Sequence, residues 1–164
     1  MNLILLTASY PYIQGTEASF LNIEVEYLAK TFDRVVVVPE IRKERMPLNH
    51  PGIEVDTSYA DVFASKGILD LTWLSLSSHI LSLGVRESDF PRFSPTAWRR
   101  LIAFTGKAEL IRRWAVGWMQ RQNLDPKDCL FYSYWLDHAA AGLGMVKQQF
   151  PGLTLISRAH GYDI

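Results

Sequence analysis

Leu3-Ile-Leu-Leu-Thr-Ala-Ser-Tyr-Pro-Tyr-Ile-Gln-Gly15, running into Thr16-Glu-Ala-Ser-Phe20 and then to Arg34-Val-Val-Val-Val-Pro39, decides the fold. Residues 3–6 are continuously apolar, as a strand buried on both faces of a parallel sheet must be. Pro11 and Gly15 mark the loop that follows. Thr16 suits an N-cap, and Glu17 suits the positive end of a helix dipole. Phe20, Ile23, Tyr27, Leu28 and Phe32 recur near a period of 3.6 and are the expected core-facing stripe of that helix. The four valines form a second strand of β-branched residues, stopped by Pro39. Strand, loop, helix and strand make a βαβ unit, whose crossover is right-handed in ~98% of cases.

Beyond this unit, residues 40–51 are polar and carry Arg42, Lys43, Arg45 and two prolines, which predicts an exposed loop. Residues 52–56 alternate like a short third strand. Two helical regions follow. One is expected to bury Leu69, Trp73, Leu76, Ile80 and Leu83. The other, starting at Ser94-Pro95, is expected to bury Ala97, Leu101, Phe104, Ala108, Ile111, Ala115 and Trp118. Residues 129–134 read as a fourth strand, 137–150 as a small-residue helix and 153–157 as a fifth strand. The sum is an α/β fold, a Rossmann-like doubly wound parallel sheet in three α/β/α layers, with residues 1–164 as one domain. Ligands in such sheets bind outside the carboxyl ends of the strands, near the switch in strand order. That directs the search to residues 9–17, 134–138 and 158–163.

Composition narrows the function classes. The 164 residues are 48% apolar, with 17 basic residues against 17 acidic ones, so nucleic acid is not the expected partner. The single Cys129 sits in an apolar strand and reads as an inert core thiol in a reducing compartment, which makes the expected location cytoplasmic. The apolar tract 68–85 is broken by Asp70 and His79 and does not read as a membrane span. Residues 92–121 hold seven basic residues against Glu109, with Trp98, Trp114 and Trp118 interleaved. Two readings stand for this stretch: an amphipathic surface in peripheral contact with anionic lipid at the inner membrane face, or a core-facing helix with a solvated basic face.

Several chemistries are disfavoured. Gly15 is the one glycine after the first strand, where a dinucleotide fingerprint needs three, and no Walker A lysine follows it. Gly15 is either a turn residue or a point of backbone approach to a ligand. Ser133 lacks the glycines of a nucleophile elbow. His160 with Asp163, or Asp137 with His138, is too small a donor set to indicate a metal. His50 and His79 are explained by surface and core packing. His138 and His160 instead follow the carboxyl ends of predicted strands, and Gly161 beside His160 permits a sharp turn.

Taken in order, Tyr10-Pro-Tyr-Ile-Gln-Gly-Thr-Glu-Ala-Ser-Phe20 with Glu24, the valine strand to Pro39, Tyr132-Ser-Tyr-Trp135 before an alanine-rich helix, and Ser157-Arg-Ala-His-Gly-Tyr-Asp163 are four landmarks. They resemble the amino-terminal, acceptor-side domain of GT-B glycosyltransferases of family 4, the retaining nucleotide-sugar-dependent enzymes. The resemblance implies a second Rossmann-like, donor-binding domain on the carboxyl side, so the chain is expected to be truncated before it and to transfer no sugar alone. The family's paired glutamates belong to that second domain; Glu17 and Glu24 lie seven apart, one residue short of their spacing. The implied partners are a nucleotide-sugar, as co-substrate rather than cofactor, and a carbohydrate or lipid-linked acceptor in polysaccharide or glycolipid synthesis. His160 matches the family histidine that lines the donor-sugar site and is the implied catalytic residue. Gly15, Thr16, Glu17, Tyr134, Trp135, His138, Arg158, Gly161 and Asp163 are the implied substrate-binding residues, with no metal. The alternative reading is a non-catalytic carbohydrate- or partner-binding module.

Overall fold

A computed structural model describes residues 1–12, 16–42, 51–78, 81–82 and 94–160. Five strands, β1 (Asn2–Thr7), β2 (Arg34–Pro39), β3 (Ile53–Val55), β4 (Cys129–Ser133) and β5 (Thr154–Ser157), form one sheet in the order β3-β2-β1-β4-β5. Every pairing is parallel. The order is that of the Rossmann type, and its switch lies between β1 and β4.

Among the described residues the helices with defined bounds are α1 (Thr16–Thr31), α2 (Ser58–Ala64), α3 (Ile68–Leu76), α4 (Pro95–Arg121) and α5 (His138–Gln149). Helix α1 covers one face of the sheet, where Leu3 and Leu5 of β1, Val35 and Val37 of β2, and Leu130 and Tyr132 of β4 pack with Ala18, Leu21 and Val25. The alternate residues Ile4, Leu6, Val36, Val38, Cys129 and Phe131 face Tyr59 of α2, Leu74 of α3, Ile111, Trp114 and Trp118 of α4, and Leu143 and Val146 of α5. The period of two along each strand thus fills both cores. Burial and the nearby Asp128 and Asp125 carboxylates push the Cys129 thiol up to about 11, consistent with an unreactive core sulfur.

Helix ends follow the expected chemistry. Ser94 Oγ accepts from the Ala97 amide, with Pro95 in the first turn of α4, and Asp137 Oδ1 accepts from the Ala139 amide to cap α5. Two glycines set the helix spacing. A Cβ on Gly106 would lie 2.2 Å from the Leu71 carbonyl oxygen, and one on Gly142 would lie 2.4 Å from that of Ala108. They bring α3 and α5 into backbone contact with α4, and the buried hydroxyls of Ser75 and Thr105 bond at 2.6 Å across the first of these seams.

Two expected faces are corrected. In α1, Phe20, Ile23 and Tyr27 are exposed, while Ala18, Leu21 and Val25 are buried. In α3, Leu69, Trp73 and Leu76 are exposed, and Leu74 and Ser75 are buried; Ile80 and Leu83 lie outside the described residues. Both helices carry apolar residues on opposite sides, so periodicity alone does not say which side docks. In α4 the expected face is buried except for Leu101, which is partly buried, and Phe104, which reaches solvent beside His138. Trp114 and Trp118 are core residues whose indole nitrogens donate to Ser58 Oγ at 2.9 Å and Asp56 Oδ2 at 2.6 Å, so neither lies at a lipid headgroup level. Helix α2 was not anticipated. Among the described residues no helix is long and apolar enough to cross a membrane.

Candidate functional site

The sheet's hydrogen-bond ladder runs past its carboxyl end and fixes the loops there. Glu40 N donates to Thr7 O, Tyr134 N to Leu6 O, and Arg158 N to Ser133 O. Glu17, at the start of α1, then organises the β1–α1 turn. Its Oε1 accepts from Ala8 N and Trp135 Nε1, each at 2.9 Å, and its Oε2 accepts from Ser9 N, Ser9 Oγ and Tyr10 N. Five donors saturate a carboxylate with about four lone-pair sites. Glu17 therefore holds two loops together rather than presenting an oxygen to a ligand.

Trp135, pinned by Glu17, carries His160. The two rings lie 4.2 Å apart, and the His160 ring also meets Tyr134 at 5.0 Å. His160 Nε2 is 3.0 Å from the Tyr134 carbonyl oxygen. A carbonyl only accepts, so Nε2 carries the proton and the imidazole orientation is set. Arg158 lies over the Tyr134 ring at 5.5 Å and pairs with Glu24 at 2.9 Å. Glu24 also accepts from the Tyr132 hydroxyl at 3.0 Å. Burial, then the Glu24 charge and that hydrogen bond, push the Tyr132 phenol up to about 12.

His138 stands in a second group. Its Nε2 is 2.7 Å from Glu40 Oε2, and Lys107 Nζ reaches Glu40 Oε1 at 2.9 Å. Glu40 is largely buried, not part of an exposed loop as the sequence suggested. Burial pushes its carboxyl up, but the hydrogen bonds and charges of His138 and Lys107 outweigh that and hold it below the usual range. Between the two groups lies a cavity of about 10 Å³, lined by Thr7, Glu40, Ser133, Trp135 and Asp137, roughly the size that admits one water. Tyr59 lines it too, and its buried hydroxyl has no hydrogen-bond partner among the described residues.

Acid should loosen this architecture. Glu40 shares its lowered carboxyl with Asp56, where bonds from Ser58 and Trp118 outweigh burial, and with Glu109, where Arg112 and Arg113 do. A carboxyl whose folded pKa lies below its unfolded one contributes stability above the unfolded pKa and loses it as pH falls through the folded one. The urea midpoint is expected to be flat near neutrality and to fall below about pH 4.5. Glu40→Gln should flatten that fall; an unchanged acid limb in this variant would mean Glu40 carries none of it.

The structure thus brings together Glu17, Tyr134, Trp135, Arg158 and His160, with His138 on the far side of the small cavity. Gly15, Gly161, Asp163 and the Thr16 side chain lie outside the described residues, as do His50 and His79. Glu40 and Lys107 were missed as site residues. Glu40 was detectable as the first polar residue after the carboxyl end of a parallel strand; Lys107 carried no local signal.

No family model matches the chain, and no solved structure matches it. One curated relative, L-aspartate oxidase 2 of Ralstonia nicotianae (strain ATCC BAA-1114 / GMI1000), is 31% identical over 105 residues, covering 49% of this chain. The chain spans about 20% of that protein's length.

Proposed function

We propose that this chain is the acceptor-side half of a retaining, nucleotide-sugar-dependent glycosyltransferase of the GT-B family 4 type. The observation that carries the reading is the juxtaposition at the sheet's carboxyl edge. The β1–α1 turn, Trp135 and His160 come from three separate landmarks, yet Glu17 bonds Trp135 and Trp135 packs on His160. That is a rigid aromatic shelf with a histidine of fixed orientation beside the strand-order switch. Aromatic faces suit the apolar faces of sugar rings. With its Nε2–H held by the Tyr134 carbonyl, the His160 ring has a fixed orientation in which Nδ1 is the acceptor edge, which suits a sugar hydroxyl. In this reading His160 accepts from a hydroxyl of the donor sugar and positions it, while a second lobe binds the nucleotide and meets the charge on the departing phosphate. Glu17 and Glu24 support the shelf instead of taking part in transfer.

The test is glycosyl transfer from a panel of nucleotide-sugars to lipid-extract and oligosaccharide acceptors, using the full-length gene product that contains these residues. His160→Ala is expected to lower kcat roughly 10²–10³-fold with the melting temperature little changed. Full activity in that variant, or no transfer from any donor by the wild-type protein, would overturn the reading and favour the binding module. The isolated 164-residue chain is expected to transfer nothing.

A further inference from the structure

We propose that α3 and the first turns of α4 form a docking surface for an anionic lipid bilayer. The outward side of α3 bears Ile68, Leu69, Trp73 and Leu76, which are 81%, 80%, 75% and 64% exposed. At 100° per residue these four and Thr72 occupy one continuous arc, and no charge interrupts it. The helix's only acid, Asp70, lies off that arc and turns back to accept from the Gly67 amide. A surface helix of a water-facing domain normally turns charged residues outward; this one is apolar on both sides.

The adjoining surface is cationic. A groove of about 440 Å³ separates Ile68, Leu71 and Thr72 of α3 from Thr96, Arg99 and Arg100 of α4. Neither arginine has a carboxylate or other hydrogen-bond partner among the described residues. Arg112 and Arg113 do not belong to this surface's free charge, because both are committed to the buried Glu109. The surface is also preformed: the Gly106 contact and the Ser75–Thr105 hydrogen bond lock α3 onto α4. An apolar helix face with one indole, bordered by exposed arginines that have no carboxylate partner among the described residues, matches an interface in which side chains enter the acyl boundary and guanidiniums meet lipid phosphates. Charge complementarity favours an anionic bilayer over a second copy, which would set Arg99 and Arg100 near their own equivalents. This surface is independent of the sugar-transfer reading and differs from the sequence expectation, since α3 rather than Trp114 and Trp118 supplies the apolar part.

Co-sedimentation of the chain with phosphatidylcholine vesicles, and with phosphatidylcholine mixed with phosphatidylglycerol, tests it. Binding is expected on the mixed vesicles and at least about tenfold weaker on the neutral ones. Arg99→Glu/Arg100→Glu and Leu69→Ser/Trp73→Ser/Leu76→Ser should each lower binding roughly tenfold or more, with circular dichroism and melting unchanged because all five side chains are exposed. A blue shift of tryptophan emission on mixed vesicles should disappear in Trp73→Phe. Absence of wild-type binding, equal binding by either multiple variant, or a triple-serine variant that turns a dimer into a monomer while still binding vesicles would each overturn the proposal.

Discussion

Glu17→Ala is expected to lower the unfolding free energy by about 3–4 kcal/mol, a large fraction of a small domain's stability. The carboxylate satisfies three backbone amides, one hydroxyl and one indole N–H in a nearly buried position. Alanine leaves those donors without an acceptor. Hydrogen bonds to a charged group contribute about 1.5–3 kcal/mol each, but donors sharing one acceptor are not additive, and some of the freed amides will find water. Glu17→Gln separates acceptor chemistry from packing, because its NH2 group faces donors where an oxygen stood. It should cost nearly as much as alanine. Urea unfolding gives the magnitude, and hydrogen exchange at Ala8, Ser9 and Tyr10 gives the location. A loss below about 1 kcal/mol in both variants would show that the turn holds itself without Glu17.

Gly142→Ala and Gly144→Ala should have opposite signs, although they sit two residues apart on the same helix. A methyl at Gly142 would lie 2.4 Å from the Ala108 carbonyl oxygen and 2.8 Å from Ile111 Cβ, whereas one at Gly144 meets nothing within 4 Å. The first must push α5 away from α4 and open the core around Leu143 and Val146, at a cost of about 3 kcal/mol. The second keeps only the gain in helix propensity, about 0.5–1 kcal/mol of added stability. Paired thermal melts measure both. Stabilisation by both alanines would mean that the helices can separate freely and that the close approach is incidental.

How far the sequence reveals the molecule depends on the range of the interaction concerned. Residues 3–6 and 35–38 announce buried strands, because a strand covered on both faces has no polar position left. The βαβ order then leaves few topologies open. Ser94-Pro95 is readable as a helix start because capping acts within three residues, whereas Asp137, read as the first residue of its helix, is its cap. The docking faces of α1 and α3 were not readable. Leu28 and Phe32 of the expected stripe do pack on the core, but Ala18, Leu21 and Val25 are spaced as well for a helix stripe as Phe20, Ile23 and Tyr27, and only the partner surface chooses between them. The candidate site divides the same way. His160, Trp135 and Arg158 stand out because they follow strands, whereas Glu40 acquires its character from Lys107 and His138, 67 and 98 residues away.

By itself, then, the chain's local chemistry determined that parallel strands alternate with helices and that the loops at their carboxyl ends carry the polar and aromatic residues. The period of side chains along a strand and the reach of a cap are properties of a few neighbouring residues. Tertiary structure alone decided that Glu17 is a clasp, that Trp114 joins Trp118 in the core, that Glu40 is paired and that the apolar side of α3 faces outward. Each depends on which groups lose water to which partners, and those partners lie far along the chain.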